Sequence, residues 1–163
     1  MSIKRTNYTG YTKFKMDGIL INNRSDNPNP EYATEGSAGF DIRADQDITI
    51  PPGETVVIGT GLYFAVPQGF EAQIRMRSSL AIRGLTIPNA PGTIDSDYRG
   101  EVKVVMHNMS KQGYVVEHGD RIAQVVVAPV VKTTPYFLSK KEFLDVSLMT
   151  IRGEGGFGST GRN

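Results

Sequence analysis

The chain has 163 residues, a formal charge of +1, no Cys and two His, with 39% apolar and 21% charged residues. That length suits one ordinary domain with its own core and needs no disulfide staple. The near-neutral charge excludes a global field for nucleic acid or membrane, the absence of thiols excludes a His/Cys zinc site of the nucleotide-deaminase kind, and no run approaches the ~18 apolar residues of a membrane helix. In chain order, residues 1–18 are polar, carry Tyr8 and Tyr11, lack the apolar stretch of a signal peptide, and read as an N-terminal extension of low order. Ile19 to Ile21 is a short strand, followed by an Asn-, Ser- and Pro-rich loop to Gly36. From Phe40 onward, short β-rich runs alternate with turn signals: Ile48–Ile50, Thr55–Thr60, Leu62–Val66, Phe70–Met76, Val102–Met106, Tyr114–Val116 and Ile122–Val127. Period-2 alternation, plain in Phe70–Met76, predicts strands with one buried face, and their spacing predicts a sandwich or barrel. One short helix is expected after Arg77, capped by Ser78 or Ser79 and ended by Gly84, and a second turn of helix around Lys140 to Leu144. The final segment, 152–163, holds five glycines and cannot build a core, which predicts a mobile tail.

Five constellations bear chemistry, and each has an ordinary alternative. Arg77-Ser78-Ser79 at a helix start presents hydroxyls, a guanidinium and outward N–H groups suited to phosphate; the alternative is an N-cap beside a surface Arg. The Gly-rich tail, with Arg152, Phe157, Gly158, Ser159 and Thr160, can wrap phosphate oxygens with backbone amides and stack an aromatic on a base; the alternative is a disordered tail whose Phe docks on its own surface. It is not a Walker loop, because the Gly-Lys-Ser/Thr ending is missing. Asp95 and Asp97, flanking Ser96 before Tyr98, face the same side of an extended segment, so one suits a general base while the other holds it in place or helps bind metal; the alternative is a polar hairpin turn. Arg121 and Gln124 bracket an apolar strand, as ligand contacts or as solvent-face strand-end residues. Asp41, in Ala38-Gly39-Phe40-Asp41, is an acid at a turn into a strand; the alternative is a bend with a salt bridge, and alone the motif says little. His107 and His118 read as structural or exposed, since no acid or Ser partner motif lies near them in sequence.

Together, in this order, Ala-Gly-Phe-Asp, Arg-Ser-Ser-Leu-Ala, Asn-x-x-Gly-x-Ile-Asp-x-Asp-Tyr-x-Gly, Gly-Asp-Arg-Ile-Ala-Gln and Arg-Gly-x-Gly-Gly-Phe-Gly-Ser-Thr-Gly resemble the five signature motifs of the trimeric dUTPase family. The resemblance covers roughly Ile19 to Arg162. It implies an all-β fold, a distorted jelly-roll β-barrel, in a homotrimer with an exchanged C-terminal arm and three shared sites. It implies a barrel domain over 19–151 and a tail, 152–163, that closes a neighbouring site. It implies hydrolysis of dUTP to dUMP and pyrophosphate by water attack on the α-phosphorus, which limits dUTP for DNA synthesis and supplies dUMP for thymidylate synthesis.

Carried over by motif, Asp95 matches the general base. Asn89, with Gly92, Thr93, Ile94 and the backbone through Lys103, matches the uracil-reading surface. Tyr98 matches the ring under deoxyribose that rejects a 2′-hydroxyl. Arg77, Ser78, Ser79 and Gln124 match phosphate ligands. Arg152, Gly158, Ser159 and Thr160 match the γ-phosphate clamp, and Phe157 matches the aromatic that covers uracil. Asp41 matches an acid near the Mg²⁺ carried by the triphosphate, reached through water. The expected partners are dUTP and two further copies of the chain, with neither nucleic acid nor membrane, and a protein partner held by the N-terminal extension is a further opening. The expected location is the cytoplasm, or whichever compartment holds the nucleotide pool. The related dCTP deaminase family shares the barrel and an Arg-Ser-Ser element but lacks the Ile-Asp-x-Asp-Tyr-x-Gly segment. A nucleotide-responsive binding protein on the same fold is the rival of another class.

Overall fold

In the computed structural model, residues 18–147 and 149–150 are described. They fall into two compact units, one ending at Val131 and the other beginning at Lys132.

The first unit is built from ten strands and one short helix. The strands are β1 (Leu20–Asn23), β2 (Phe40–Arg43), β3 (Ile48–Ile50), β4 (Thr55–Ala65), β5 (Phe70–Arg75), β6 (Leu85–Thr86), β7 (Gly92–Ile94), β8 (Glu101–Asn108), β9 (Tyr114–Val116) and β10 (Arg121–Pro129), with helix α1 (Ser78–Ala81) after β5. They pair, antiparallel throughout, into a sheet ordered β1-β4-β8-β6, a second ordered β2-β10-β5-β7, and the ribbon β3-β9. The sheets do not close on themselves, so the expected barrel takes a jelly-roll-like form of packed open sheets.

Alternation decides which face goes inward. In β2, Phe40 and Ile42 are buried while Asp41 and Arg43 are not; in β8, Val102, Val104, Met106 and Asn108 point inward between half-exposed or exposed neighbours. The inner faces meet in one core around Phe64, Ile42, Ile58, Leu85, Met106 and Ile122, with Tyr32 and Phe64 packed edge-on to Phe40. Each such apolar side chain contributes roughly 1.5–3 kcal/mol by leaving water. Asn108, the deepest polar side chain, is satisfied: its amide donates to the Ile50 and Gln112 carbonyls at 2.9 and 2.7 Å and its oxygen accepts from Ser110 N–H at 2.9 Å.

Two of the expected runs, Thr55–Thr60 and Leu62–Val66, are a single strand, β4, with an irregularity between Gly59 and Tyr63 where the register against β8 shifts. Gly61 sits there at φ +65°, and a Cβ on it would lie 2.7 Å from that of Ser25, so both conformation and space require glycine. The bulge is what makes one strand look like two in sequence.

The helix after Arg77 forms, but not with the expected cap. Arg77 itself holds the N-cap position with extended backbone (φ −80°, ψ 135°) and no side-chain cap hydrogen bond, so Ser78 and Ser79 are the first helical residues. Gly84, at φ +84°, ends the turn as anticipated.

The second unit contains α2 (Lys140–Ser147), longer than the single turn expected. A capping box explains the length: the Glu142 carboxylate accepts from Ser139 N–H (2.8 Å) and Oγ–H (2.6 Å), and Ser139 Oγ accepts from Glu142 N–H at 3.4 Å. These hydrogen bonds, the hydroxyl's first and then the amide's, hold the Glu142 carboxyl below its ordinary value. Among the described residues, no helix is long and apolar enough to cross a membrane.

Candidate active site

The segment from Gly92 to Lys103 does not form the expected hairpin. β7 pairs with β5 in one sheet and β8 with β4 and β6 in the other, so Asp95 to Gly100 is a turn that carries the chain from sheet to sheet. The Tyr98 N–H donates to the Asp95 carbonyl at 3.1 Å and closes it. The Arg99 guanidinium ties down the Ser96 and Tyr98 carbonyls at 2.8 and 2.6 Å. Asp95, Asp97, Tyr98 and Arg99 remain exposed.

Thr93, Ile94, Asp95, Tyr98 and Lys103 line one cavity of about 250 Å³ beside this turn, together with Glu101. The Tyr98 hydroxyl donates to the Glu101 carbonyl at 2.9 Å, and its ring lies against the Cα of Gly100, where any Cβ would collide with it. The ring is therefore a fixed wall. Gly92 is buried on Ile74, and the Asn89 amide lies over it: a Cβ there would meet Asn89 Nδ2 and Ile74 Cβ, each at 3.3 Å. Asn89 itself, exposed on the turn before β7, is outside the set that lines the cavity.

The cationic residues gather elsewhere. Asp41 Oδ1 pairs with Arg77 Nε at 3.1 Å and Asp41 Oδ2 with Arg121 Nη1 at 3.2 Å. The Arg77 Nη1 also donates to the Arg121 carbonyl at 3.0 Å, which welds the start of α1 to the start of β10. Gln124 lies opposite Asp41 in register, and its amide reaches the Met76 carbonyl at 3.4 Å. Arg77, Ser79, Arg43 and Arg121 line a cavity of about 560 Å³, and Asp41, Arg43, Arg121 and Gln124 one of about 430 Å³. Ser78 is exposed beside them. In this cluster one carboxylate holds two guanidiniums.

The two groups do not meet within one chain. Asp41 opposes Gln124, which opposes Arg75; Ile94 opposes Ala72, which puts Asp95 beside Glu71. From Arg75 to Glu71 the strand runs ~13 Å, and β2 to β7 spans three strand spacings, ~14 Å, so Asp41 and Asp95 lie on the order of 20 Å apart across the sheet. A general base must stand within hydrogen-bond reach of its water, ~2.6–3.2 Å.

Among the described residues no three His, Asp or Glu side chains are placed to cage a metal ion. Asp41, the expected acid, spends both oxygens on arginine. Among the described residues, the donor set does not form a protein-held cage.

Arg152, Phe157, Gly158, Ser159 and Thr160 lie outside the described residues, as do residues 1–17. His118 has acid partners that its neighbours in sequence do not announce: Nε2 is 3.5 Å from Asp45 Oδ1, and its N–H donates to Asp47 at 2.6 Å. His107 hydrogen-bonds Thr55 Oγ1 at 3.0 Å. Glu101 was not anticipated at all. Its partners, Thr60 and Gly61, are about forty positions earlier and are joined to it only by the β4–β8 pairing.

A family model described as dUTPase matches residues 25–161. Curated relatives named deoxyuridine 5′-triphosphate nucleotidohydrolase include one from Roseobacter denitrificans, 52% identical over 138 residues, covering 82% of this chain and 87% of its own. Another, from Bartonella bacilliformis, is 50% identical over 145 residues and covers 82% of each. Among solved structures, a point mutant of Staphylococcus bacteriophage 80alpha dUTPase with dUpNHpp superposes with a TM-score of 0.75 at 26% identity, over 89% of this chain and 99% of that one. The five ordered motifs, the jelly-roll-like sheets and these matches agree, and the chain belongs to the dUTPase family.

Proposed function

We propose that this chain hydrolyses dUTP to dUMP and pyrophosphate, with Asp95 as the general base that takes a proton from the attacking water. The observation that carries this reading is the single cavity that joins Asp95 to the rigid Tyr98 wall, the β7 backbone and Lys103. Uracil would face the backbone of β7 and β8, with Asn89 lying over Gly92 at the start of β7, where a main-chain wall would leave no room for a methyl group. Deoxyribose packs on the Tyr98 ring, whose pinned hydroxyl keeps it from yielding to a 2′-hydroxyl.

Phosphoryl transfer asks for positioning and charge neutralisation more than covalent chemistry. Arg77, Ser78, Ser79 and Gln124 provide that cradle, and Asp41 holds it open. The triphosphate would carry Mg²⁺, whose preference for oxygen ligands suits neutralisation of the phosphate charge, with Asp41 near it through water. Arg152, Gly158, Ser159 and Thr160 would clamp the γ-phosphate, and Phe157 would cover the uracil.

The separation of Asp95 from the phosphate cradle supports a site shared between copies of the chain. Asp95 of one copy serves the cradle of another, and a homotrimer closes that arrangement with identical interfaces. Residues 152–163 would form the exchanged arm. Pyrophosphate release measured with Mg²⁺ and each of dUTP, dCTP, dTTP and UTP tests the assignment. Turnover of dUTP alone is the expected result; ammonia release from dCTP would replace it with the deaminase reading.

A further inference from the structure

Glu101 is the best-connected residue of the nucleoside cavity and has no role in the reading above. Its carboxylate is half-buried. Oε1 accepts hydrogen bonds from Thr60 N–H at 3.2 Å and Gly61 N–H at 3.1 Å, the two amides that the β4 irregularity removes from the ladder with β8. Oε2 pairs with Lys103 Nζ at 3.3 Å. Its own carbonyl accepts the Tyr98 hydroxyl. Gly59 leaves the space it needs, since a Cβ there would lie 2.8 Å from Oε1. One residue thus touches the sheet behind the cavity, the wall that meets the sugar, and the cation at the base-reading strand.

We propose that Glu101 is a positioning residue that sets the discrimination between deoxyribo- and ribonucleotide. By saturating the two bulge amides, the carboxylate locks the first residue of β8 against β4. That fixes the carbonyl on which Tyr98 hangs, and hence the position of the ring. Through its other oxygen it aims Lys103. This rests on the reading that the cavity takes the nucleoside of dUTP.

The test compares kcat/KM for UTP and dUTP in full-length wild type, Glu101→Ala, Glu101→Gln, Gly59→Ala and Tyr98→Ala, together with amide exchange at Thr60 and Gly61 and thermal midpoints. Glu101→Ala orphans both amides. Gly59→Ala, at a position with ordinary φ, pushes the intact carboxylate away. Both should raise the UTP-to-dUTP ratio about tenfold, with exchange at residues 60 and 61 accelerated and the KM for dUTP raised more than kcat falls. Glu101→Gln keeps an oxygen for the two amides, so its ratio stays near wild type, while loss of the Lys103 pair raises the KM for dUTP. If Glu101→Ala and Gly59→Ala fold normally and keep the wild-type ratio while Tyr98→Ala raises it, the proposal is overturned and the cavity assignment stands. A Tyr98→Ala enzyme with an unchanged ratio overturns the cavity assignment itself. Glu101→Gln matching Glu101→Ala in both ratio and exchange would refute the hydrogen-bond account.

Discussion

Asp41 and Asp95 stand at diagonal corners of one four-stranded sheet, on the order of 20 Å apart, with the Arg77–Asp41–Arg121 cluster at the first corner and the cavity beside Tyr98 at the second. If a catalytic site needs both corners, it must draw them from different copies. Two separately inactive variants, Asp95→Asn and Arg77→Ala, should therefore complement each other. When equal amounts are unfolded together and refolded as mixed oligomers, about a quarter of the sites would receive one intact corner from each chain type. Recovery of activity to about that fraction is expected; a mixture as inactive as its parents would place both corners in one chain.

Asp95→Asn keeps shape and removes the carboxylate proposed as the base. The turnover of dUTP should fall by about 10²–10⁴-fold, while a non-hydrolysable dUTP analogue binds within a few-fold of wild type by calorimetry. Near-normal pyrophosphate release would take Asp95 out of this role.

Asp41→Asn leaves a side chain of the same size but removes the charge that holds Arg77 and Arg121. Hydrogen bonds between charged partners contribute ~1.5–3 kcal/mol, but both arginines and Asp41 are partly solvated, so most of the loss should appear in substrate positioning. The KM for dUTP should rise about tenfold with the thermal midpoint nearly constant. An unchanged KM would show that the arginines hold their places without it.

Removal of residues 152–163 should cost activity far more than stability, because a Gly-rich segment of this kind contributes little to a core and a great deal to closing a phosphate site. Steady-state hydrolysis and thermal unfolding of the truncated chain decide this; a fully active truncation removes the lid.

Glu142 supplies a pH prediction. Hydrogen bonds from Ser139 hold its carboxyl below the ordinary carboxylate value in the folded chain. A depressed carboxylate stabilises the fold above its unfolded value, and that contribution disappears as pH falls through the lower folded value. The amides of residues 139–143 should therefore lose exchange protection on acidification below about pH 4.5, and Glu142→Gln should remove most of that pH dependence.

Much of this protein follows from local chemistry. The strands around the core are written in period-2 alternation, as in Phe40–Arg43 and Glu101–Asn108, because a half-buried strand must put every second side chain into the same apolar face. Arg77, Asp95 and Tyr98 were recognisable because their motifs are contiguous and keep family order. Tertiary structure decided what depends on partners distant in sequence. Glu101 reads as one more strand-start acid until β4 brings Thr60 and Gly61 against it. The sequence offers a salt bridge at Asp41 without naming its partners, and β10 and α1 supply them as an arginine on each oxygen. The supposed hairpin at Asp95 proved to be a crossing between sheets, because turn residues such as Asp, Ser and Gly specify that the chain bends but not which strand it pairs with next. Polar side chains gain their meaning from the groups that neutralise or orient them, and those groups are assembled only when the sheets pack.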